Sequence, residues 1–480
     1  MPIDKNKIRP RNRSSSHSLK SVPIFTISSE PPDGVIDTSL LYEELRRKFK
    51  RDAGPVKVDF RKLLDWVKLG DQLTHQIHPY PAKLLPSIAH FFMRASAVVK
   101  PGSLVLDPFC GSGTVALEAS LAGHFPLVAD ANPLSLLITK VKTTRYDPLE
   151  LSALTTRVVQ RAARLRNAPE IPVVNSHLWY APQRKKELEI LMRAIREVED
   201  DHHRDFLLLC FSAVARKLSL ADPAISVPVR LKTKETFSAE TNTRILAKLA
   251  WISSAIPRDE FFNVCNANIE RIARTNAIFQ HRHSATVVGQ DARSLCDIDQ
   301  AEGTPLAANS VPLILTSPPY GSAQKYIRAS SLSLNWLEFA GPRELSALEG
   351  KSIGREHAPG AHETTTTGIP PHFLDLLNDI KPINTLRYQI TAQYLHDMRK
   401  ALEEATRVLV PGGKLVLVLG NNHVCGKQLR NDEYCIEILE SFGLQLDLSL
   451  VDNIKSRGLL TKRNSTASVI LRESVLVFSK

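Results

Sequence analysis

The sequence predicts an α/β fold, a doubly wound sheet with a helical insertion. Residues 103–107 form a short apolar run that ends on an acid, and a glycine-containing turn and a helix-forming stretch at 115–122 follow. Residues 125–130 then repeat the pattern of an apolar run that ends on an acid. This order is that of the βαβ unit that opens a doubly wound domain. The strand pattern resumes at 285–291 after a long interruption.

Four segments are expected along the chain. Residues 1–32 are rich in Arg, Lys, Ser and Pro without apolar periodicity, which predicts a disordered basic arm. The α/β domain is expected in two parts, 33–145 and 285–480, and helix-like segments fill 146–284 between them. The second part contains a loop at 340–390 that is rich in Gly, Pro, His and Thr. Helices are also predicted at 87–99 and 395–408, with a tight turn at 411–413.

Composition narrows the class of protein. A formal charge of +12 over 480 residues favours a polyanionic partner, although a generic basic protein stays open. The six cysteines have no zinc-like spacing, and histidines 202, 203, 281 and 283 lack an i,i+4 partner, so no metal is expected. The absence of a long apolar run or a signal peptide predicts a soluble cytoplasmic protein.

The first motif is Asp107-Pro-Phe-Cys-Gly-Ser-Gly-Thr114. A strand, a glycine turn and a helix in this order bind nucleotide-like cofactors, or a phosphate at the helix N-terminus. No lysine follows the second glycine, so this is not a phosphate-cradling loop. Asp130 stands at the end of the next predicted strand, where a ribose-binding acid belongs, although it could instead cap the helix that begins near Pro133.

The second motif is Thr316-Ser-Pro-Pro-Tyr-Gly321, directly after the apolar run 311–315. Two consecutive prolines lock φ and remove two backbone donors, which leaves carbonyl oxygens free to accept. Ser317 adds a hydroxyl, and Tyr320 adds a flat face on which a base can stack. The motif therefore predicts a site for a planar substrate with an amino group. The alternative is a strand that simply ends at a Pro-Pro turn.

Together the two motifs resemble the S-adenosylmethionine-dependent DNA amino-methyltransferases, which methylate cytosine N4 or adenine N6. His78-Pro-Tyr-Pro-Ala-Lys83 and Gly289-Gln-Asp291 extend the resemblance over about 70–145 and 285–480. It implies a Rossmann-like seven-stranded sheet with the last strand antiparallel. The strands would lie at about 103–107, 125–130, 285–291, 311–316, 414–420, 444–451 and 474–479.

The resemblance also implies roles for single residues. The cofactor would be S-adenosylmethionine, and 33–145 would be the cofactor-binding half. Its expected contacts are Asp107, Pro108, Phe109, Gly111, Gly113, Thr114, Asp130, Asn132, Asp291, Tyr80 and Lys83. The expected catalytic residues, which would hold the amino group of a flipped base, are Ser317, Pro318, Pro319 and Tyr320. Serine at position 317 is more common in the cytosine-N4 enzymes, and adenine N6 stays open as the alternative.

Double-stranded DNA is the expected partner, with the insertion at 146–284 as a candidate for target recognition. The residues expected to contact DNA are Lys325, Arg328, Arg355, Arg457, Lys462 and Arg463, which could instead be solvated surface charges. We expect the modification half of a restriction–modification pair, with any cognate endonuclease acting separately. The alternatives of another class are an RNA base methyltransferase and an inactive DNA-binding protein.

Overall fold

The structure, a computed structural model, describes most of the chain. The described residues are 37–64, 73–81, 83–296, 303–321, 325–355, 365–454 and 472–480. The predicted basic arm at 1–32 lies outside them. Within these ranges no helix is both long enough and apolar enough to cross a membrane.

The strands alternate with helices in both parts of the α/β domain. In chain order the strands are β1 (Val56–Lys57), β2 (Leu104–Asp107), β3 (Phe125–Val128), β4 (Thr286–Val287), β5 (Val311–Thr316), β6 (Leu409–Gly420), β7 (Asn422–Val424), β8 (Lys427–Leu429), β9 (Gln445–Asn453) and β10 (Arg472–Ser479).

Eight of these strands form one sheet in the order β1-β9-β10-β6-β5-β2-β3-β4. Neighbours pair in parallel except at β10, which is antiparallel to both β6 and β9. The chain runs outward from β2 through β3 to β4, and then returns to β5 on the other side of β2. Strand order therefore reverses between β2 and β5, which is where open α/β sheets bind their ligands.

The described helices surround this sheet and fill the segment between its two parts. They are α1 (Ser39–Asp52), α2 (Phe60–Leu63), α3 (Pro86–Met93), α4 (Thr114–Leu121), α5 (Pro133–Thr143), α6 (Pro148–Arg164), α7 (Ser176–Trp179), α8 (Pro182–Arg196), α9 (Asp201–Lys217), α10 (Ala239–Ser254), α11 (Pro257–Ile278), α12 (Tyr326–Trp336), α13 (Leu345–Lys351), α14 (Pro371–Ile380), α15 (Thr385–Val408) and α16 (Asn431–Ser441).

Two apolar cores cover the two faces of the sheet. One packs α1 and α3 against alternate residues of the central strands, and the other packs α14, α15 and α16 against the opposite face. Because a strand directs successive side chains to opposite faces, β6 contributes Val416 to the first core and Leu417 to the second. A third core joins the helices of 146–284 to α5 and α12.

Specific polar contacts attach the 146–284 helices to α12. The indole nitrogen of Trp336 donates to the hydroxyl of Tyr180 at 3.0 Å, and the side-chain oxygen of Asn335 accepts from the Val174 amide at 2.8 Å. Trp336 is fully buried. The helical segment is thus packed against a helix that begins beside the second motif.

The predicted fold class is confirmed, with differences in detail. The seven predicted strands occur in order with the last antiparallel, but a two-residue strand, β1, adds an eighth at the edge. The strand predicted at 285–291 is only Thr286–Val287. The turn predicted at 411–413 is a bulge within strand β6, where Gly412 has φ +77° and Leu409 to Lys414 stands opposite only Val311 to Leu313 of β5. Helix α15 begins ten residues before the predicted start at 395, and α3 ends at Met93 rather than at 99.

Candidate active site

The glycine turn connects β2 to α4 through two residues with positive φ. Gly111 has φ +47° and Gly113 has φ +70°, a region that glycine enters without a steric cost. A Cβ on Gly113 would lie 2.6 Å from Oγ1 and 3.0 Å from Cα of Thr139 on α5. Only glycine therefore lets α4 begin this close to α5.

Asp130 is bound to the turn from the next strand. Its Oδ2 accepts from the Gly111 amide and its Oδ1 accepts from the Asn132 amide, both at 2.8 Å. Burial raises the pKa of the Asp130 carboxyl to about 6, against the effect of these two bonds. A half-buried carboxylate with lone pairs left over is a suitable acceptor for a pair of ribose hydroxyls.

The capping role that was the alternative for Asp130 belongs to its neighbour. The side chain of Asn132 accepts from the Leu134 amide at 3.1 Å and so caps α5. The same side chain donates to the hydroxyls of Tyr80 at 3.3 Å and Ser330 at 3.1 Å. Asn132 thus links the glycine turn region to α12.

The second motif begins where β5 ends, next to β2. Thr316 donates from its hydroxyl to Oδ1 of Asp107 at 2.6 Å. Asp107 is 3% exposed, and burial raises the pKa of its carboxyl to about 7. Ser317 donates from its hydroxyl to the Val418 carbonyl at 3.1 Å, so the lone pairs of Ser317 Oγ are left to accept.

Tyr320 is oriented by the start of β10. Its hydroxyl donates to Oε1 of Glu473 at 3.3 Å. Burial raises the pKa of Tyr320 well above its ordinary value. The phenol therefore remains protonated, and its ring is attached to the sheet through its polar end.

One cleft contains residues of both motifs. Its lining includes Asp107, Phe109, Gly111, Thr114 and Asp130 from the first motif region, and Ser317 and Pro319 from the second. The rest of the lining is Tyr80, Leu84, Cys110, Ser112, Val115 and Tyr326. The cleft lies at the reversal of strand order between β2 and β5, so the fold and the motifs indicate the same place.

Other predicted site residues lie around this lining rather than in it. Pro108, Gly113, Asn132, Pro318 and Tyr320 are adjacent to lining residues in the chain or contact them. The ammonium of Lys83 donates to the His75 carbonyl at 3.2 Å.

Asp291 also lies outside the cleft lining. Its carboxylate accepts from the Arg293 guanidinium at 2.8 and 2.9 Å, and Arg293 also donates to Asp397 at 2.8 Å. Asp291 thus forms an ion pair with Arg293, and its contact with the cofactor stays a prediction.

Motif matching missed Lys142, which lies beneath the glycine turn. Its side chain is fully buried, and its ammonium donates to the Ser112 carbonyl at 2.5 Å. Burial holds the pKa of Lys142 well below its ordinary value. The position belongs to no motif, and it meets the turn only because α5 packs on α4.

The candidate DNA contacts are only partly within the described residues. Lys325 and Arg328 stand at the start of α12, beside Tyr326, and Arg328 is exposed. Arg355 is half-buried and donates to the Gly350 carbonyl. Arg457, Lys462 and Arg463 lie outside the described residues. Within the described ranges, no group of three His, Cys, Asp or Glu residues could hold a metal ion.

Comparison with known proteins gives a consistent class. Residues 76–166 match the family model UPF0020, described as an RMKL-like methyltransferase domain. The match covers the glycine turn, Asp130 and Asn132. The sheet, the cleft and this match together support a methyltransferase.

Two curated relatives carry names of the same class. The chain is 24% identical over 433 residues to the Type II methyltransferase M.MvaI of Kocuria varians, a match that covers 85% of this chain and 90% of the relative. It is 32% identical over 113 residues to the Type II methyltransferase M.MjaII of Methanocaldococcus jannaschii, covering 22% of this chain and 21% of that protein.

Likeness to solved structures is weak. An rRNA methyltransferase from Streptomyces viridochromogenes overlaps 88% of this chain and 96% of its own, at 10% identity and a TM-score of 0.30. The fold class therefore rests on the strand order described above.

Proposed function

We propose that the protein is a site-specific DNA methyltransferase that transfers a methyl group from S-adenosylmethionine to the N4 amino group of cytosine. The observation that carries the proposal is the single cleft lined by Gly111 and Asp130 on one side and by Ser317 and Pro319 on the other. One half of this cleft suits a nucleoside-containing cofactor, and the other suits an amino group. Methyl transfer between them needs both halves to be adjacent.

The residues of the first half fit S-adenosylmethionine. Asp130 would accept from the ribose hydroxyls, because its two carboxylate oxygens each retain a lone pair after binding one backbone amide. The positive φ values at Gly111 and Gly113 let the backbone approach the cofactor closely. Phe109 and Tyr80 would supply apolar walls. When bound, the cofactor supplies a methyl group already activated on a sulfonium.

The residues of the second half would orient the accepting nitrogen. An aromatic amino lone pair is delocalised into the ring, so the nitrogen is a poor nucleophile until its protons are held out of the ring plane. Ser317 Oγ and the Pro318 carbonyl would accept hydrogen bonds from the two N–H groups, and the nitrogen would release one of its protons to solvent as the methyl group leaves the sulfur for it. This is catalysis by positioning and electrostatics, with acceptors fixed before the substrate binds.

DNA as the substrate is supported by the names of the curated relatives and by charge. Both relatives are Type II methyltransferases, a name that places them in restriction–modification systems. The formal charge of +12 suits a polyanion, and the exposed Arg328 lies close to the cleft. The amino group is inaccessible in a duplex, so the base would be flipped out and stacked on Tyr320.

Mass spectrometry of nucleosides tests the proposal. Unmethylated genomic DNA is incubated with the protein and S-adenosylmethionine, digested to nucleosides, and compared with a Ser317→Ala, Asp130→Ala double variant as the control. We expect N4-methylcytosine in the wild-type sample alone. N6-methyladenine would overturn the choice of base, and methylation of added total RNA but not of DNA would overturn DNA as the substrate.

A further inference from the structure

The second motif is supported from behind by Tyr394, a residue of α15 that belongs to neither motif. The Tyr394 hydroxyl donates to the Pro319 carbonyl at 3.0 Å. Tyr394 is 3% exposed, and its ring lies in the core that covers this face of the sheet. A buried tyrosine needs a partner for its hydroxyl, and here that partner is a backbone atom of the predicted catalytic loop.

Two glycines let the loop approach this ring. A Cβ on Gly321 would lie 2.9 Å from Cδ1 and Cε1 of Tyr394, closer than real side chains come. Gly354, at φ +76°, approaches from the other side, where a Cβ would lie 3.4 Å from Pro319 and 3.8 Å from Tyr394. At Gly321 the loop therefore packs closer to the Tyr394 ring than a residue with a Cβ could.

A second group binds another carbonyl of the loop, two residues after Pro319. The side-chain amide of Asn422 donates to the Gly321 carbonyl at 2.6 Å, and Asn422 is itself bound by Asn431 at 3.2 Å. The Pro319 and Gly321 carbonyls are thus occupied from the protein side. Among the described residues, no donor is bound to the Pro318 carbonyl.

We propose that Tyr394 is a positioning residue for methyl transfer. By donating to the Pro319 carbonyl and packing its ring against Gly321, it fixes the loop so that Ser317 Oγ and the Pro318 carbonyl face the amino group. The inference rests on the proposed function. It assigns to α15 a part in the reaction, although Tyr394 touches neither substrate nor cofactor.

The alternative role is purely structural, and the chain provides a matched control. Tyr434 is also buried, lies in the same core, and donates from its hydroxyl to the backbone carbonyl of Leu395 at 2.6 Å. Each substitution removes one buried hydroxyl and leaves its ring in place, so each costs stability on the order of a single hydrogen bond. Only the Tyr394 hydroxyl contacts the predicted catalytic loop.

The test compares Tyr394→Phe with Tyr434→Phe. Single-turnover methyl transfer to unmethylated genomic DNA is measured at saturating S-adenosylmethionine, with cofactor affinity measured by calorimetry and the melting temperature by scanning calorimetry. We expect Tyr394→Phe to slow transfer roughly tenfold relative to Tyr434→Phe, with equal cofactor affinity and similar melting temperatures. Gly321→Ala, which pushes the loop off the ring, should slow transfer as well.

Equal transfer rates for the two phenylalanine variants would overturn the inference, as would a parallel loss of cofactor affinity in Tyr394→Phe. Failure of the proposed function has a different signature. If the wild-type protein methylated RNA and not DNA, the substrate assignment would fall, and the same pair of variants assayed on RNA would still decide the role of Tyr394. Wild-type protein that methylates no nucleic acid would overturn both.

Discussion

Thr316 donates its hydroxyl hydrogen to Asp107 at 2.6 Å and so joins the carboxyl end of β5 to that of β2. The two residues are 209 positions apart in the chain, and each begins one of the two motifs. Their contact crosses the point where strand order reverses. This buried hydrogen bond therefore extends the β2–β5 pairing to the point where the glycine turn and the Ser-Pro-Pro-Tyr loop begin.

Stability should depend on the ionisation of Asp107. The folded state raises the pKa of this carboxyl from 3.8 to about 7, so between these values the folded protein binds more protons than the unfolded chain. Ionisation then penalises the folded state, and this penalty grows as pH rises through the interval and is constant above it. Asp107→Asn cannot ionise and lacks the penalty.

Urea unfolding of both proteins from about pH 5 to about pH 8 measures this effect. We expect wild type to lose stability relative to Asp107→Asn as pH rises, by roughly 1 to 4 kcal/mol in all. A stability difference that does not change with pH would show that Asp107 ionises with an ordinary pKa.

Close packing at Gly113 should make its replacement costly. Gly113→Ala adds strain at φ +70° and a contact with the backbone of Thr139, so we expect a loss of about 2 to 4 kcal/mol in the free energy of unfolding. Gly123→Ala is the matched control, since Gly123 has φ +79° with nothing within 4 Å of an added Cβ. Its cost should be strain alone, about 1 kcal/mol. Equal costs in urea unfolding would refute the packing argument.

Arg328 should contribute to DNA affinity without base preference. It is exposed on the first turn of α12, two residues after Tyr326, which lines the cleft. Arg328→Ala should weaken binding to unrelated duplexes uniformly and reduce the salt dependence of the affinity by about one counterion. Arg51→Ala, an exposed arginine at the end of α1 and outside the 146–284 segment, is the control and should change neither quantity. Fluorescence anisotropy over a range of salt concentrations measures both quantities. If Arg328 faces solvent only, the affinity of the Arg328→Ala variant will have the same salt dependence as that of the wild type.

The sequence was sufficient for the eight-stranded sheet because each of its strands but one leaves a local pattern. The exception is β1, since Val56 and Lys57 are too few to alternate, and β1 forms only by pairing with β9. The turn predicted at Gly412 and Gly413 is present as a bulge in β6, where Gly412 has φ +77°. The sequence does not show that β6 resumes its pairing with β5 after the bulge, because that depends on the neighbouring strand.

The sequence predicted those site residues that belong to motifs, and it did not predict those that lie outside them. Asp130 could be selected from spacing and Ser317 from its motif, and the structure brings both to one cleft. Tyr394 and Lys142 were missed because their contacts arise from helices that pack on the motifs from distant parts of the chain. Asp291 was selected from a short motif and lies outside the cleft lining; its partner Arg293 is only two residues away, but the second bond of Arg293, to Asp397, is a tertiary contact that the motif does not encode.

The proposed function divides the cleft into a cofactor half and an amino-group half. The most direct test measures S-adenosylmethionine affinity and methyl transfer to DNA in two variants, Ser317→Ala and Asp130→Ala. Ser317→Ala should lower turnover about 100-fold and leave the dissociation constant of the cofactor nearly unchanged. Asp130→Ala should raise that constant about 10- to 100-fold, with much less effect on turnover at saturating cofactor. Equal weakening of cofactor binding by the two substitutions would contradict the division.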